Sequence, residues 1–378
     1  MSHHEASRGR AGGRSEPAAR DLALAVVARG SSSPLELPGD PVRDAIFFRL
    51  LGLAKYDRLV GAMAEALAAG DLPATDRQRE ALVAEHTAWL HHGLMVERLL
   101  LEVGDVFGES ELEFRVLKGV ALAHLVYGDP AWRVFGDLDI LVPSHRFDDA
   151  VRLSVTQLGG AQQSPELRPG FDREFGKESL VRVGRIELDL HRTFVAGPFG
   201  LTIDLDRLFE SSTTIEIGGR ELAVLDPPAI FLHACYNLAL GDHPVRLGSL
   251  RDIVQICAVY DIDAGDMADL AASWRATAVV ERAARLATRD LRLEDDHPLA
   301  RLSRLEVPNR EARLLHSYLG SARSYKRALA SLAVIPGVGP KLRYARALAQ
   351  PSSAYRASRG WSPGTQWRRF AEGILRRG

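Results

Sequence analysis

The sequence predicts an α+β (mixed α/β) protein, in which one small mixed sheet is flanked by helical regions earlier and later in the chain. Residues 111–225 read as strand, helix, strand, helix and further strands ending in a hairpin, and the residues on either side have apolar positions at helical spacing. The 378 residues, 46% of them hydrophobic, suffice for about two to three domains. The predicted division is a disordered tail and linker at 1–38, an N-terminal helical cap at 39–110, a core with the candidate catalytic residues at 111–225, and a C-terminal helical domain with a basic tail at 226–378.

Composition excludes several classes of protein. The net charge of −1 gives no polyelectrolyte signal for nucleic acid or a membrane surface. The two cysteines, Cys235 and Cys257, lie in helical patterns and support neither a disulfide framework nor a cysteine zinc site. The N-terminal segment is polar, and no apolar run approaches the ~20 residues needed to cross a bilayer. We therefore expect a cytoplasmic protein without a membrane span.

The end of the chain is basic. From Lys341 onward there are nine Lys or Arg residues and one acid, Glu372, with aromatic residues between them. Such a segment can contact nucleic acid or another anionic surface, but a terminal helix with solvated basic residues explains it as well. Nucleic acid is therefore a partner that the sequence allows but does not favour.

Helical periodicity dominates the region before the sheet. Residues 1–18 are expected to be disordered, with a short helix at 22–27. Two helices are predicted within 39–110, and the second is expected to bury Trp89, Leu90, Leu94, Leu99 and Leu100. We expect the pair to pack as a cap against the sheet.

The segment GDLDILV carries the strongest chemical signal. On a strand with a two-residue period, Asp137 and Asp139 point to one face while Leu138 and Ile140 point to the other. Two like charges side by side repel unless a cation lies between them, and carboxylate oxygens are the ligands that Mg²⁺ prefers. Two other Asp-x-Asp pairs, Asp204/Asp206 and Asp261/Asp263, are followed by no buried strand, so we interpret them as helix caps and solvated turns.

A Lys-Gly turn precedes that strand. Lys118 and Gly119 follow a short apolar strand and open the helix VALAHLVY. A helix N-terminus attracts phosphate through its unpaired N–H groups and its dipole, Gly119 permits close backbone approach, and Lys118 adds a charge. A plain strand-to-helix turn is the alternative interpretation.

A third acid lies on a later strand. In RIELDLHRTF, Glu187, Asp189 and His191 alternate with apolar residues. If this strand pairs beside the Asp137 strand, Asp189 completes the three-carboxylate cluster that phosphoryl transfer with two metal ions requires. A solvated edge strand is the competing explanation.

The C-terminal helical region offers polar candidates at its start. Asp226 and Pro227 form a helix start, and the loop and helix that follow carry Arg246 and Asp252. Arg246 suits a phosphate and Asp252 suits ribose or acceptor, although an internal ion pair explains both equally well. His233 and His243 also lie here, and His233 is more typical of a core histidine.

The order of these features resembles a known family. A Lys-Gly turn and helix, then Arg133, then GDLDILV, and a later LDLH strand are similar to the uncharacterised nucleotidyltransferase family within the DNA polymerase β-like nucleotidyltransferase superfamily, over residues 40–360. The resemblance implies a polymerase β-like palm sheet. One departure concerns the turn, where the superfamily usually has Gly-Ser or Gly-Gly and this chain has Gly119-Val120, so Lys118 is expected to take the place of the hydroxyl.

The resemblance also implies roles for single residues. Asp137 and Asp139 would bind the metal ions that carry a nucleoside triphosphate, and Asp189 would ligate metal and help to activate the acceptor hydroxyl. The predicted nucleotide contacts are Lys118, Gly119, Arg133, Arg246 and Asp252.

These observations together predict an enzyme. It would use Mg²⁺ or Mn²⁺ to move a nucleoside monophosphate from an NTP, such as ATP, to an acceptor hydroxyl, with release of pyrophosphate. The acceptor is a small molecule, a protein or RNA. Two alternatives stay open: a glycosyltransferase that holds a nucleotide sugar through Asp-x-Asp, and a non-catalytic scaffold that binds nucleotide or RNA.

Overall fold

The computed structural model describes residues 18–241, 244–320 and 324–362. Most of the predicted disordered tail, the far end of the basic tail and His243 lie outside these ranges. The short helix predicted at 22–27, within the segment assigned to tail and linker, is present as α1 (Ala19–Ala28), and its Leu22, Val26 and Val27 are buried. They pack with the apolar faces of helices from both ends of the chain.

Three helices form the N-terminal region: α2 (Asp44–Asp57), α3 (Val60–Ala68) and α4 (Asp76–Glu109). The first predicted helix is divided in two at Arg58, whose left-handed backbone, with a φ of 59°, ends α2. Helix α4 starts at a capping box between Thr75 and Gln78. Leu94 was expected to be buried but is 64% exposed, because the buried stripe of α4 runs through Leu82, Val96, Leu100 and Val103.

The central region folds into a seven-stranded sheet. In chain order its elements are β1 (Arg115–Val116), α5 (Lys118–Val126), β2 (Asp137–Leu141), α6 (Phe147–Thr156), β3 (Ala161–Gln162), α7 (Phe171–Phe175), β4 (Glu178–Val183), β5 (Ile186–His191), α8 (Arg207–Glu210), β6 (Thr213–Ile217) and β7 (Arg220–Val224). The spatial order is β3-β4-β5-β2-β1-β7-β6. Strands β2 and β5 are parallel, as are β1 and β7, and the other pairs are antiparallel. The predicted mixed fold is confirmed.

Alternation along the central strands separates the two faces of the sheet. Leu138 and Ile140 of β2 and Leu188 and Leu190 of β5 are fully buried, and they join one apolar cluster with residues of α4 and α6. The intervening positions of β2 and β5, which include the acids, lie on the opposite face. The apolar side of the sheet therefore fixes the strands that present the acids.

The C-terminal region is helical, as predicted. Asp226 caps its first helix by accepting from the Ala229 N–H at 2.9 Å, and Pro227 occupies the first helical position. The helices are α9 (Pro227–Leu240), α10 (Leu247–Val259), α11 (Ala264–Ser273), α12 (Thr277–Leu291), α13 (Pro298–Leu302), α14 (Asn309–Gly320), α15 (Ser324–Val334), α16 (Val338–Ala349) and α17 (Ser353–Ser358).

One apolar cluster joins both ends of the chain. It contains Leu22 of α1, Phe47 of α2, Met63 of α3, Phe231 of α9 and Ile253 of α10. The predicted division into cap, core and C-terminal domain stays a prediction. Among the helices that the structure describes, none has the length and apolar character needed to cross a membrane.

Candidate active site

Strands β2 and β5 bring the predicted acids together. Their parallel register places Asp139 directly beside Asp189. One ligand atom each from Asp139, Asp189 and His191 lies within 4.8 Å of the other two. The predicted pairing of the Asp189 strand beside the Asp137 strand is thus present, and it also brings His191 next to Asp139.

Asp139 is the most buried acid of this cluster, with 2% of its surface exposed. Its Oδ1 accepts from Lys118 Nζ at 2.7 Å and from His191 Nε2 at 2.7 Å. Burial alone would raise the pKa of Asp139, but Lys118 and His191 outweigh it and hold this pKa well below its usual range. Asp139 is therefore a charged carboxylate with a fixed orientation.

Asp189 has the opposite electrostatic character. Burial, together with the nearby charges of Asp139, Glu178 and Asp137, raises the pKa of Asp189 to about 8. Its Oδ1 is buried and accepts no hydrogen bond from any residue that the structure describes. A buried carboxyl oxygen without a donor, held among other acids, suits a cation or a proton.

His191 is a site residue that the sequence interpretation noted on the strand but gave no role. It is fully buried, and besides Asp139 its Nδ1 lies 3.5 Å from Glu178 Oε2. Burial lowers its pKa, so the ring is held neutral while its Nε2–H orients Asp139. The signal was available, because His191 follows Asp189 by two positions on the same polar face of β5.

Asp137 lies at the edge of this arrangement. It does not belong to the compact group formed by Asp139, Asp189 and His191. Its Oδ1 accepts from Arg58 Nη1 at 3.0 Å, and both side chains are partly exposed. No local pattern around Arg58 indicated this contact, since the two residues are 79 positions apart.

The Lys-Gly turn is built differently from the prediction. Lys118 was assigned to phosphate, yet its ammonium pairs with Asp139. Gly119 was assigned to close approach of a ligand, yet a Cβ at this position would lie 3.0 Å from Phe135 Cβ, so its small size serves packing. The N-terminus of α5 still lines the cleft beside Asp137 and Asp139, and phosphate binding there stays a prediction.

Arg133 and Asp252 were predicted to contact the nucleotide, but the structure pairs them with each other. Two hydrogen bonds of 2.8 Å join the guanidinium to the carboxylate, and the side chains are only 10% and 8% exposed. Tyr127 donates a further bond to Asp252, and Arg133 also donates to the Gly119 carbonyl at 3.0 Å. This is an internal ion pair of the kind given as the alternative for Asp252, and because both residues also line the cleft, their contact with nucleotide stays a prediction. Through the bond to Gly119, Arg133 ties the pair to the first turn of α5.

The remaining candidates occupy several positions. Arg246 precedes α10, lines the cleft and lies 5.6 Å from the centre of the Tyr56 ring. His233 is a core histidine, with its ring centre 4.5 Å from that of Phe194. Asp263 caps α11, as expected for an Asp-x-Asp pair without a metal role.

Breaking the Arg133–Asp252 pair is expected to destabilise the fold. Asp252→Asn leaves a buried guanidinium without a counter-charge, which costs about 3 kcal/mol in the free energy of unfolding. Urea denaturation of the purified protein measures this loss. The double variant Arg133→Met/Asp252→Leu should lose less than the sum of its single variants, because no lone charge stays buried; simple additivity would contradict the explanation.

The comparison with protein families identifies the chain. The family described as "Uncharacterised nucleotidyltransferase" matches residues 47–291, well over half of the sequence. The chain belongs to this family. The predicted family and enzyme class, nucleotidyltransferase, are thereby confirmed.

Solved structures give more distant similarities. The chain is similar to the solution structure of the antibiotic-resistance factor ANT(2'')-Ia, with 17% identity over 49% of this chain and 92% of that chain and a TM-score of 0.36. It is also similar to the crystal structure of ANT(2'')-Ia in complex with adenylyl-2''-tobramycin, with 18% identity over 47% of this chain and 96% of that chain and a TM-score of 0.34. A third similar structure is that of an antigenic nucleotidyltransferase-like protein from Paracoccidioides brasiliensis, with 16% identity over 48% of this chain and 92% of that chain and a TM-score of 0.30. No curated protein matches the chain.

The donor set of this nucleotidyltransferase fits a hard divalent cation. Asp139 and Asp189 could supply carboxylate oxygens, and the buried Oδ1 of Asp189 has no donor among the described residues, while the Nε2–H of His191 orients Asp139. Mg²⁺ and Mn²⁺ favour carboxylate ligands of this kind. Asp137 lies two positions before Asp139 on β2, and its role as a metal ligand stays a prediction.

Binding of Mg²⁺ to the nucleotidyltransferase is expected to strengthen as the pH rises from about 6 to 8. With its pKa raised to about 8, the Asp189 carboxyl holds a proton below that pH, and the cation must displace this proton. Titration calorimetry with Mg²⁺ at several pH values measures the slope. Asp189→Asn should remove most of the dependence; an unchanged slope in this variant would show that another group is responsible.

Proposed function

We propose that this nucleotidyltransferase moves a nucleoside monophosphate from an NTP, with ATP the first to test, to an acceptor hydroxyl. The observation that carries the proposal is the direct pairing of Asp139 with Asp189 on parallel strands, beside a cleft that also receives the N-terminus of α5. In the reaction the acceptor oxygen forms a bond to the α-phosphorus. The bond from that phosphorus to the bridging oxygen breaks, and pyrophosphate leaves.

Asp137, Asp139 and Asp189 are the residues that would hold divalent metal. When bound, Mg²⁺ or Mn²⁺ neutralises the negative charge of the phosphates. Lys118 and His191 keep Asp139 ionised and oriented, so little reorganisation is needed at that ligand.

Asp189 is the proposed proton acceptor. Its surroundings favour a proton, bound metal would displace the proton held at neutral pH, and Asp189 lies on β5, on the far side of β2 from the α5 turn. The acceptor hydroxyl would approach over β5 and give its proton to Asp189, while the triphosphate lies near the N-terminus of α5. Asp189 and the N-terminus of α5 would thus lie on two sides of the reacting phosphorus.

Labelling tests the proposal. The protein is incubated with each of the four NTPs carrying a radioactive α-phosphate, Mg²⁺ and a cell extract, and the extract is separated into small molecules, proteins and RNA. We expect one fraction to gain label as pyrophosphate is released, and Asp139→Asn to abolish both. Equal labelling by the variant would overturn the proposal. A nucleoside diphosphate product from a nucleotide sugar would favour the glycosyltransferase instead.

A further inference from the structure

Arg58 reaches the candidate active site from the N-terminal helices. Its guanidinium faces the Asp137 carboxylate, with Nη1 3.0 Å from Oδ1 and Nη2 3.5 Å from Oδ2. It lines the same cleft as Lys118 and Gly119, at the edge where the N-terminal helices meet the sheet. Both the arginine and the aspartate are partly exposed, at 30% and 28% of their side-chain surfaces.

The backbone that carries Arg58 is held firmly. Asp57 accepts a hydrogen bond from the Leu247 N–H at the start of α10, at 3.2 Å. Gly248 packs against the same corner so closely that a Cβ would lie 2.5 Å from the Asp57 carbonyl oxygen. Arg58 itself has the left-handed conformation that ends α2. The corner is therefore fixed to α10, and only the long side chain can change partners.

Asp137 cannot serve a guanidinium and a metal ion equally well. A divalent cation on its oxygens repels a guanidinium at hydrogen-bond distance. The planar fork of arginine binds phosphate as readily as carboxylate, and a triphosphate in this cleft would bring phosphate oxygens near Asp137 and the α5 turn. The displaced guanidinium would thus have an anion within reach.

We propose that Arg58 is a nucleotide-binding residue that exchanges partners. It pairs with Asp137 until metal occupies that carboxylate, and it then binds the triphosphate that arrives with the metal. This inference rests on the proposed function. It assigns a phosphate contact to the N-terminal helices, and it makes Arg58 a competitor of the metal alone but a ligand of the metal nucleotide.

The two roles predict effects of opposite sign. Arg58→Gly removes the guanidinium, and glycine accepts the left-handed backbone. We expect this variant to bind Mg²⁺ alone about 2- to 5-fold more tightly, since a partly exposed pair is modest in strength. It should bind the Mg²⁺ complex of an α,β-methylene NTP about 10-fold more weakly, since a charged hydrogen bond to phosphate is lost. Arg58→Lys should recover part of the nucleotide affinity, because it keeps the charge without the fork.

The chain offers a matched control. Arg292 is exposed and ends α12 in the same left-handed conformation, with a φ of 52°. Arg292→Gly therefore makes the same backbone change away from the cleft, and both affinities should stay at the wild-type values. Calorimetry with Mg²⁺ alone and with each of the four α,β-methylene NTPs supplies the data, and thermal unfolding confirms that every variant is folded.

The outcomes separate the inference from the proposed function. If Arg58→Gly weakens both affinities together, or changes neither, the exchange is wrong. If Asp139→Asn loses Mg²⁺ and nucleotide while Arg58→Gly behaves like the wild type, only the inference falls. If Asp139→Asn binds Mg²⁺ and the nucleotide analogue as tightly as the wild type does, the proposed function is wrong as well. The same holds if the wild type binds none of the four analogues.

Discussion

Asp139→Asn is expected to lower the rate of nucleotidyl transfer by about 10³-fold or more. The substitution removes the acid that Lys118 and His191 hold ionised, at the point where β2 and β5 present their polar side chains together. An amide is a poor ligand for Mg²⁺ and leaves the phosphate charge uncompensated. The loss of transfer rate is measured as pyrophosphate release in the presence of the extract fraction that gains label from the NTP.

The control for Asp139 must separate catalysis from folding. Asp139→Asn leaves the Lys118 ammonium without its counter-charge, so some loss of stability is expected. The double variant Lys118→Met/Asp139→Asn removes that charge and should be folded yet inactive. Asp206→Asn makes the same chemical change at an exposed Asp-x-Asp pair and should keep full activity. A loss of about 10-fold or less is what the removal of an ordinary binding contact produces. If folded Asp139→Asn keeps activity within about 10-fold of the wild type, Asp139 has no metal role.

Asp189→Asn is expected to lower the same rate by about 10²- to 10⁴-fold, the range for loss of a general base. Here the fold should be preserved. Without metal, the pKa of about 8 keeps the Asp189 carboxyl mostly neutral near pH 7, and an amide imitates this form closely; bound metal would displace the proton and leave the carboxylate free to act as the base. Because this pKa lies above the ordinary value of 3.8, the metal-free wild type loses stability as the pH rises from about 4 to about 8, and the full loss is present above about 8. The variant should therefore melt higher than the wild type in alkaline buffer without metal.

Glu187→Gln provides the comparison for Asp189. Glu187 lies two positions earlier on β5, on the same polar face, and pairs with Arg182 at 3.2 Å. Its replacement should leave transfer and its pH profile unchanged. A similar loss of activity in both variants would mean that the negative charge of the strand matters, and that Asp189 has no special role.

Elements whose residues follow a clear local pattern, such as alternation, a turn or a helix cap, were predictable from sequence. Alternation of apolar and acidic residues in GDLDILV and RIELDLHR predicted β2 and β5, and the double glycine predicted the β6–β7 hairpin, where Gly218 and Gly219 have positive φ values. Capping chemistry predicted the start of α9 at Asp226. In each case the signal lies within a few neighbouring residues, so the local backbone preference and the final structure agree.

The sequence did not predict how the charged residues pair within the protein, and their contacts with nucleotide stay predictions. Lys118, Arg133 and Asp252 were assigned to the nucleotide because of their charge and their place near the candidate turn. In the structure each satisfies another charge of the protein. Sequence alone could not distinguish these uses, because Arg133 and Asp252 are 119 positions apart and their contact depends on how α10 packs against α5.

The amino-acid sequence by itself determined which strands carry acids on one face, and membership of the nucleotidyltransferase family follows from it. Tertiary structure decided which charges meet: Asp139 with Asp189 and His191 across two parallel strands, and Asp137 with Arg58 across the cleft. The physical reason is that side-chain direction repeats along a strand and is encoded locally. The pairing of buried charges, in contrast, depends on distances that exist only once the apolar faces of the sheet and helices have packed.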